Sequence, residues 1–198
     1  MELSSFILKK LYLSEKKSAF EISKLFNCSE NKINFWIKKY KIKKRAISEA
    51  IYIKHNPRGD PFKIKKRLTK EEMKLFGLGL GLYWGEGNKK NRTSIRLSNT
   101  DPELIKNFIK FLVRIYGVKK EDINFSLLIF SDISPIAAKK FWIRELKVKS
   151  NQIRGKIFVI KSGSIGTYRQ KSKYGVLILM YHNRKLRDII CDMIEELK

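Results

Sequence analysis

The stretch from Gly77 to Asn88, which reads GLGLGLYWGEGN, constrains the fold of this chain more than any other. The residues just before this stretch predict a helix N-terminus, because Thr69 and Glu72 have the spacing of a capping box. The negative charge of Glu71 also favours the positive end of the helix dipole. Each glycine inside a helix costs about 1 kcal/mol relative to alanine. A helix this rich in glycine therefore needs a packing reason.

Three of the glycines, Gly77, Gly81 and Gly85, recur at intervals of four residues and fall on one helix face. A stripe of small residues lets a second backbone approach closely, so we expect this helix to pair with its own copy across a two-fold axis. The helix ends in Glu86, with Gly87 as the C-cap. A carboxylate at a helix C-terminus is unfavourable unless a cation is bound nearby. The alternative is a glycine-rich helix end with a solvated glutamate.

The segment Gly79–Gly87 resembles the signature helix of the LAGLIDADG homing endonucleases. The small residues that let two signature helices pack correspond to Gly81 and Gly85, and the metal-binding acid corresponds to Glu86, with Glu in place of Asp. The sequence departs from the family pattern at the two opening positions and at the sixth. The resemblance covers roughly residues 70–198.

The resemblance implies both a fold and a chemistry. It implies a four-stranded sheet backed by helices, a homodimer, double-stranded DNA as partner, and metal-dependent phosphodiester hydrolysis. Glu86 is then the catalytic residue, and Glu86 and Gly87 hold Mg²⁺ or Mn²⁺. Each chain supplies one Glu86, so two chains are needed. Two alternatives stay open: a non-cleaving DNA-binding transcriptional regulator on the same fold, and an RNA-binding or maturase-like role.

The net charge of the chain is +25, from 44 Lys and Arg against 19 Asp and Glu in 198 residues. Such an excess indicates a polyanionic partner, with nucleic acid first. An AT-rich genome would explain lysine over arginine but not the shortage of acids. No apolar run is long enough to span a bilayer and no signal peptide opens the sequence, so we expect a cytoplasmic, nucleoid-associated protein. Cys28 and Cys191 are too few for a disulfide framework or a zinc site.

Three short helices are predicted at the start of the chain, over about residues 3–13, 17–26 and 30–40. Ser29 is a good N-cap after a tight turn, and two helices around such a turn predict a helix-turn-helix. Its apolar spacing resembles the DNA-binding domains at the start of recombinases and transposases. The alternative is a three-helix domain that binds protein. The apolar positions assigned to these helices are Phe6, Ile7, Leu11, Leu13, Ala19, Ile22, Leu25, Phe26, Ile33, Trp36 and Ile37.

In a helix-turn-helix the second helix enters the major groove, and its early residues face the bases. The candidates here are Ser29, Asn31, Lys32, Asn34 and Phe35. Asparagine reads adenine through two hydrogen bonds, so the two asparagines are the polar readers. Phosphate contacts contribute affinity without sequence preference. The residues expected to make them are Lys38, Lys39, Lys41, Lys43, Lys44 and Arg45.

The expected organisation is α+β, with an all-α helix-turn-helix over residues 1–45, a basic linker over 46–69 and a LAGLIDADG-like domain over 70–198. Strands are predicted at 94–99, 124–130, 156–161 and 175–181, with helices between and after them. In the first strand Ile95 and Leu97 are expected to face the core, with Ser94, Arg96 and Ser98 outside. The DNA contacts expected in this domain are Arg96, Ser98, Lys161, Arg169, Lys171 and Lys173.

Overall fold

A computed structural model describes residues 3–154, 157–161 and 172–197. The protein is mixed α+β, and it divides into two compact units, Met1–Pro61 and Phe62–Lys198. The division falls inside the expected linker. Residues after it belong to the second unit, because Phe62 is buried in that unit's core and the Lys63 amide donates to the Tyr116 carbonyl at 2.7 Å.

Every secondary-structure element in the described part of the first unit is a helix or a helical turn. It contains α1 (Ser5–Lys9), a π-helical turn (Lys10–Ser14), α2 (Ala19–Leu25), α3 (Glu30–Lys39) and α4 (Ile47–His55). A capping box between Ser18 and Glu21 starts α2. The Ser29 hydroxyl caps α3 as predicted, accepting from the Lys32 amide at 3.3 Å. The buried apolar core consists of Leu3, Leu8, Tyr12, Ile22, Ile33, Trp36, Ile37 and Ile42.

The apolar assignment was wrong at several positions of the first two helices. The exposed residues are Phe6, Ile7, Leu13 and Leu25. In the first helical segment the buried face is instead formed by Leu8 and Tyr12, which lie one turn apart. In α2 the buried positions are Ile22 and Ser23, and the last two residues of that helix, Lys24 and Leu25, are exposed. The assignments in α3 were correct, because Ile33, Trp36 and Ile37 are all buried.

The second unit alternates helices and strands. Its elements are α5 (Lys70–Glu86), β1 (Ile95–Asn99), α6 (Pro102–Tyr116), β2 (Asn124–Phe130), α7 (Pro135–Leu146), β3 (Phe158–Ile160), β4 (Val176–Tyr181) and α8 (Arg184–Glu195). The four strands form one mixed sheet in the order β1-β4-β2-β3. The β2–β3 pair is parallel and the other two pairs are antiparallel. The predicted capping box of Thr69 and Glu72 is present at the start of α5.

One face of this sheet is packed and the other is half-open. Leu97 pairs with Leu179, and Leu179 pairs in turn with Phe125. This row is buried in the same core as residues of α5, α6, α7 and α8. The alternate row, which includes Arg96 and Ser98, is half-buried on the opposite face.

Ser94 was predicted to face solvent, and this was wrong. It is fully buried, just before the first residue of β1. Its hydroxyl is held between two polar neighbours, donating to Asn91 Oδ1 at 3.0 Å and accepting from Arg96 Nε at 3.0 Å. A buried hydroxyl is tolerated when it is hydrogen-bonded in this way.

Helix α5 packs on α6 through a contact that only glycine allows. A Cβ atom at Gly79 would overlap the ring of Phe111. One turn further, Tyr83 stacks on Phe108 with ring centroids 5.8 Å apart. The buried face of α5 is thus made of Gly79, Leu80 and Tyr83.

We predict opposite effects for alanine at two glycines of α5. Gly79→Ala lowers the free energy of unfolding by about 1–3 kcal/mol, because the methyl group overpacks the α5–α6 contact. In the monomer, Gly77→Ala raises it by up to about 1 kcal/mol through helix propensity, because a Cβ atom at this position meets nothing within 4 Å among the described residues. Urea-induced unfolding followed by circular dichroism measures both. Equal effects from the two substitutions would contradict the described packing.

Candidate functional site

The exposed face of α5 carries the glycine stripe that the sequence indicated. A Cβ atom built at Gly77, Gly81 or Gly85 would meet nothing within 4 Å. Apolar side chains about half exposed to solvent flank the stripe, namely Met73, Leu78 and Trp84. These residues form an exposed face of glycines and apolar side chains along the outside of the helix.

Glu86 is the last residue of α5 and is exposed. Its carboxylate makes no hydrogen bond or ion pair within the part of the chain that the structure describes. Gly87 is the C-cap, as predicted, but its backbone is extended (φ −75°, ψ 140°) rather than left-handed. Glycine is required there by close approach, because a Cβ atom would overlap the Tyr83 carbonyl oxygen. Gly87 also bridges to Leu97, which fixes the end of α5 against the edge of the sheet.

A lysine of the same chain, Lys89, places a positive charge at the C-terminal end of α5. The Lys89 ammonium donates to the Trp84 carbonyl, and the Lys89 amide donates to the Gly87 carbonyl at 3.1 Å. A positive charge at this position favours the negative end of the helix dipole. The cost that the sequence assigned to Glu86 is therefore offset at least in part by a lysine of the same chain.

One chain does not supply a complete set of metal ligands around Glu86. Within residues 3–154, 157–161 and 172–197, no group of three or more His, Cys, Asp or Glu side chains could hold a metal ion. Divalent cations such as Mg²⁺ prefer several oxygen ligands, completed by water or phosphate. Glu86 would fit such a site only with a second carboxylate from another chain.

A cluster of cations lies next to the end of α5, and the sequence analysis did not assign it. These side chains line an open cleft of about 650 Å³, here called the basic cleft: Lys89, Lys90, Arg92, Arg184, Arg187 and Asp188. The first three come from the loop between α5 and β1, and the others come from the first turns of α8. The two sides of the cleft come from segments far apart in the sequence, since Lys89 and Arg187 are 98 positions apart.

In the first unit, α3 presents part of the predicted recognition set to solvent. Asn31, Phe35 and Lys38 are exposed at helical spacing on one face. Asn34 differs, because its Nδ2 donates to the Glu30 carbonyl at 3.1 Å and it is half-buried. The Lys32 ammonium lies 5.3 Å from the centre of the Trp36 ring.

In the basic segment at the end of α3 and after it, the lysines are exposed, whereas Arg45 makes contacts within the first unit. Lys39, Lys41, Lys43 and Lys44 are exposed. Arg45 instead holds the first unit together. Its guanidinium donates to the Tyr12 carbonyl and, at 3.2 Å, to the Lys16 carbonyl, and it lies 4.5 Å from the centre of the Tyr12 ring.

The contacts predicted for the second unit are spread over different parts of the sheet. Arg96 and Ser98 lie on the half-open face of β1, and the Arg96 guanidinium is oriented by its bond to Ser94. Lys161 is exposed after β3. The Lys173 ammonium lies 5.6 Å from the Tyr174 ring centre. Arg169 and Lys171 lie outside the described residues.

Two titratable groups near α5 are held in their neutral forms. Burial raises the pKa of Tyr83 to about 12, an effect that the nearby Arg187 guanidinium offsets only in part. Burial also raises the pKa of the Cys191 thiol. Both groups are therefore uncharged at neutral pH.

Comparison of the chain with protein-family models, with curated proteins and with solved structures gives no match in any of the three. Among the described residues, no helix combines the length and apolar character needed to cross a membrane.

We predict that Arg45 and Lys43 differ in what they do. Arg45→Ala lowers the free energy of unfolding of the first unit by about 1–3 kcal/mol, because a charged donor to two backbone carbonyls is lost. Lys43→Ala leaves stability unchanged within error, since Lys43 is exposed. Thermal or urea unfolding of the full chain measures both. An Arg45→Ala variant as stable as Lys43→Ala would show that these contacts are not stabilising.

Proposed function

We propose that this protein binds double-stranded DNA and, as a homodimer, cleaves it by metal-dependent phosphodiester hydrolysis, in the manner of the LAGLIDADG homing endonucleases. One observation carries the proposal. Among the described residues, the exposed glycine stripe of α5 has no packing partner, and the Glu86 carboxylate at its end has no hydrogen-bond or ion-pair partner.

The stripe needs an explanation that the single chain does not contain. Gly79 is explained by Phe111 and Gly87 by the Tyr83 carbonyl. Gly77, Gly81 and Gly85 have no such neighbour, yet each weakens the helix by about 1 kcal/mol. A second copy of α5 packed against this exposed face would explain all three glycines, because small residues let two helix backbones approach closely. It would also bring two Glu86 side chains to the same end of the helix pair.

The residues that would hold a metal are Glu86 from each of the two chains and the Gly87 carbonyl beside it. That carbonyl already accepts from the Lys89 amide and retains a second lone pair. Bound Mg²⁺ or Mn²⁺ would activate water and stabilise the leaving oxygen. The contribution of the chain itself is orientation, since the Gly87–Leu97 bridge fixes the direction in which α5 ends.

DNA binding is supported by charge and by the exposed face of α3. The chain carries a net charge of +25, which favours a polyanion. On α3, Asn31 can read a base edge and Phe35 can contact a thymine methyl group. Lys38, Lys43 and Lys44 are exposed nearby in sequence and suit phosphate contacts.

A second function is supported by a separate observation. Lys89 already places a positive charge at the C-terminal end of α5, where a nuclease would need a metal. A protein in which this lysine has taken the place of the metal would be a DNA-binding transcriptional regulator on the same fold. The two functions share DNA binding and differ in cleavage.

Cleavage of a genomic or randomised plasmid library in Mg²⁺ or Mn²⁺ decides between them, with DNA binding recorded in parallel. We expect wild type to cut at discrete sites. We expect Glu86→Gln to bind the same sites but to cut at least about a hundredfold more slowly, a loss that even indirect partners of a metal can cause. Glu121→Gln, another exposed glutamate of the second unit, is the matched control and should cut like wild type. If wild type and Glu86→Gln occupy the same sites and neither cuts, the regulator is the correct function.

A further inference from the structure

The basic cleft concentrates like charges in one place. Five cationic side chains line it against one carboxylate, Asp188. Such a cluster repels itself and is stabilised by a bound polyanion. The first turn of α8 adds the positive end of a helix dipole.

One wall of the basic cleft is built by specific contacts. The Arg187 guanidinium donates to Asp188 at 2.9 Å and to the Lys89 carbonyl, which joins α8 to the loop after α5. Arg184 also pairs with Asp188, at 3.4 Å. Arg187 is mostly buried, with 14% of its side chain exposed. Asp188 therefore holds the guanidinium groups of Arg184 and Arg187 in fixed positions.

The other wall consists of cations that the fold does not use. The Lys90 ammonium and the Arg92 guanidinium are exposed and make no hydrogen bond or ion pair within the described residues. Because Lys90 and Arg92 make no such contact, the stability of the second unit does not depend on their charges. They are available to a ligand.

We infer that the basic cleft binds the phosphate backbone of the DNA. The inference rests on the proposed function and extends it, because no residue that lines the cleft is among the α3 and β1 residues predicted to contact DNA. Arginine forks suit phosphate oxygens, and the open shape of the cleft suits a continuous backbone rather than an enclosed small anion. The loop that supplies half of the cleft leaves α5 directly after Glu86, so the backbone held here passes the end of the glycine stripe.

The test removes the two uncommitted cations from the full-length chain. Lys90→Gln/Arg92→Gln is compared with Lys119→Gln/Lys140→Gln, two exposed lysines of the same unit that do not line the cleft. Binding of a fluorescent duplex is measured by anisotropy at several salt concentrations. We expect the first double variant to weaken binding equally for unrelated sequences and to reduce the salt slope by about two, one for each phosphate contact. The control pair keeps the wild-type slope.

A third variant should change affinity in the opposite direction. Asp188→Asn removes the carboxylate that lines the cleft and releases two guanidinium groups. We expect DNA to bind more tightly, by up to about fivefold, as is typical for one partly exposed charge pair. A purely structural role for Asp188 would instead give weaker binding and a lower melting temperature.

The outcomes separate the inference from the proposed function. If wild type fails to bind duplex DNA, the proposed function is overturned and the inference with it. If wild type binds and Lys90→Gln/Arg92→Gln matches it in affinity and slope, the inference alone is overturned. The inference is also overturned if DNA affinity is unchanged but pyrophosphate, at matched ionic strength, raises the melting temperature of wild type and not of the variant. The cleft would then hold a free phosphate compound.

Discussion

The close contact between α5 and α6 is the interaction on which the rest of the second unit depends. Gly79 lets the helix backbone rest on the ring of Phe111, and Tyr83 continues the contact by stacking on Phe108. Because this face is buried, the stripe of Gly77, Gly81 and Gly85 has to point outward. Packing within the chain therefore explains Gly79, whereas our proposal explains the three glycines of the stripe by a second copy of α5.

The same packing sets the position of the charged groups. Gly87 lies against the Tyr83 carbonyl and pairs with Leu97, so the chain leaves α5 in one direction. That direction places Glu86 at the end of the stripe and carries Lys89 back to cap the helix. Arg187 then binds the Lys89 carbonyl and brings α8 to the same loop. The carboxylate and the basic cleft are thus consequences of how one helix ends.

Local chemistry made much of the fold predictable from the sequence. The capping box at Thr69, the cap at Ser29 and the alternating strands all lie where their residues indicated. Long-range contacts were not predictable in the same way. The burial of Ser94 depends on a side-chain bond to Asn91. The contacts of Arg45 depend on the carbonyls of Tyr12 and Lys16, which come much earlier in the chain. The basic cleft could not be predicted from the sequence, because its cations come together only when α8 packs beside the loop after α5.

The most direct test of this account is whether α5 pairs with its own copy. Sedimentation velocity of wild type, Gly81→Leu and the control Lys110→Leu, each with and without duplex DNA, measures it. The account predicts a wild-type and control dimer, and a Gly81→Leu monomer that remains folded, because a Cβ atom at Gly81 meets nothing within 4 Å among the described residues. A wild-type monomer at high concentration both on and off DNA, or a Gly81→Leu dimer as stable as wild type, would contradict it.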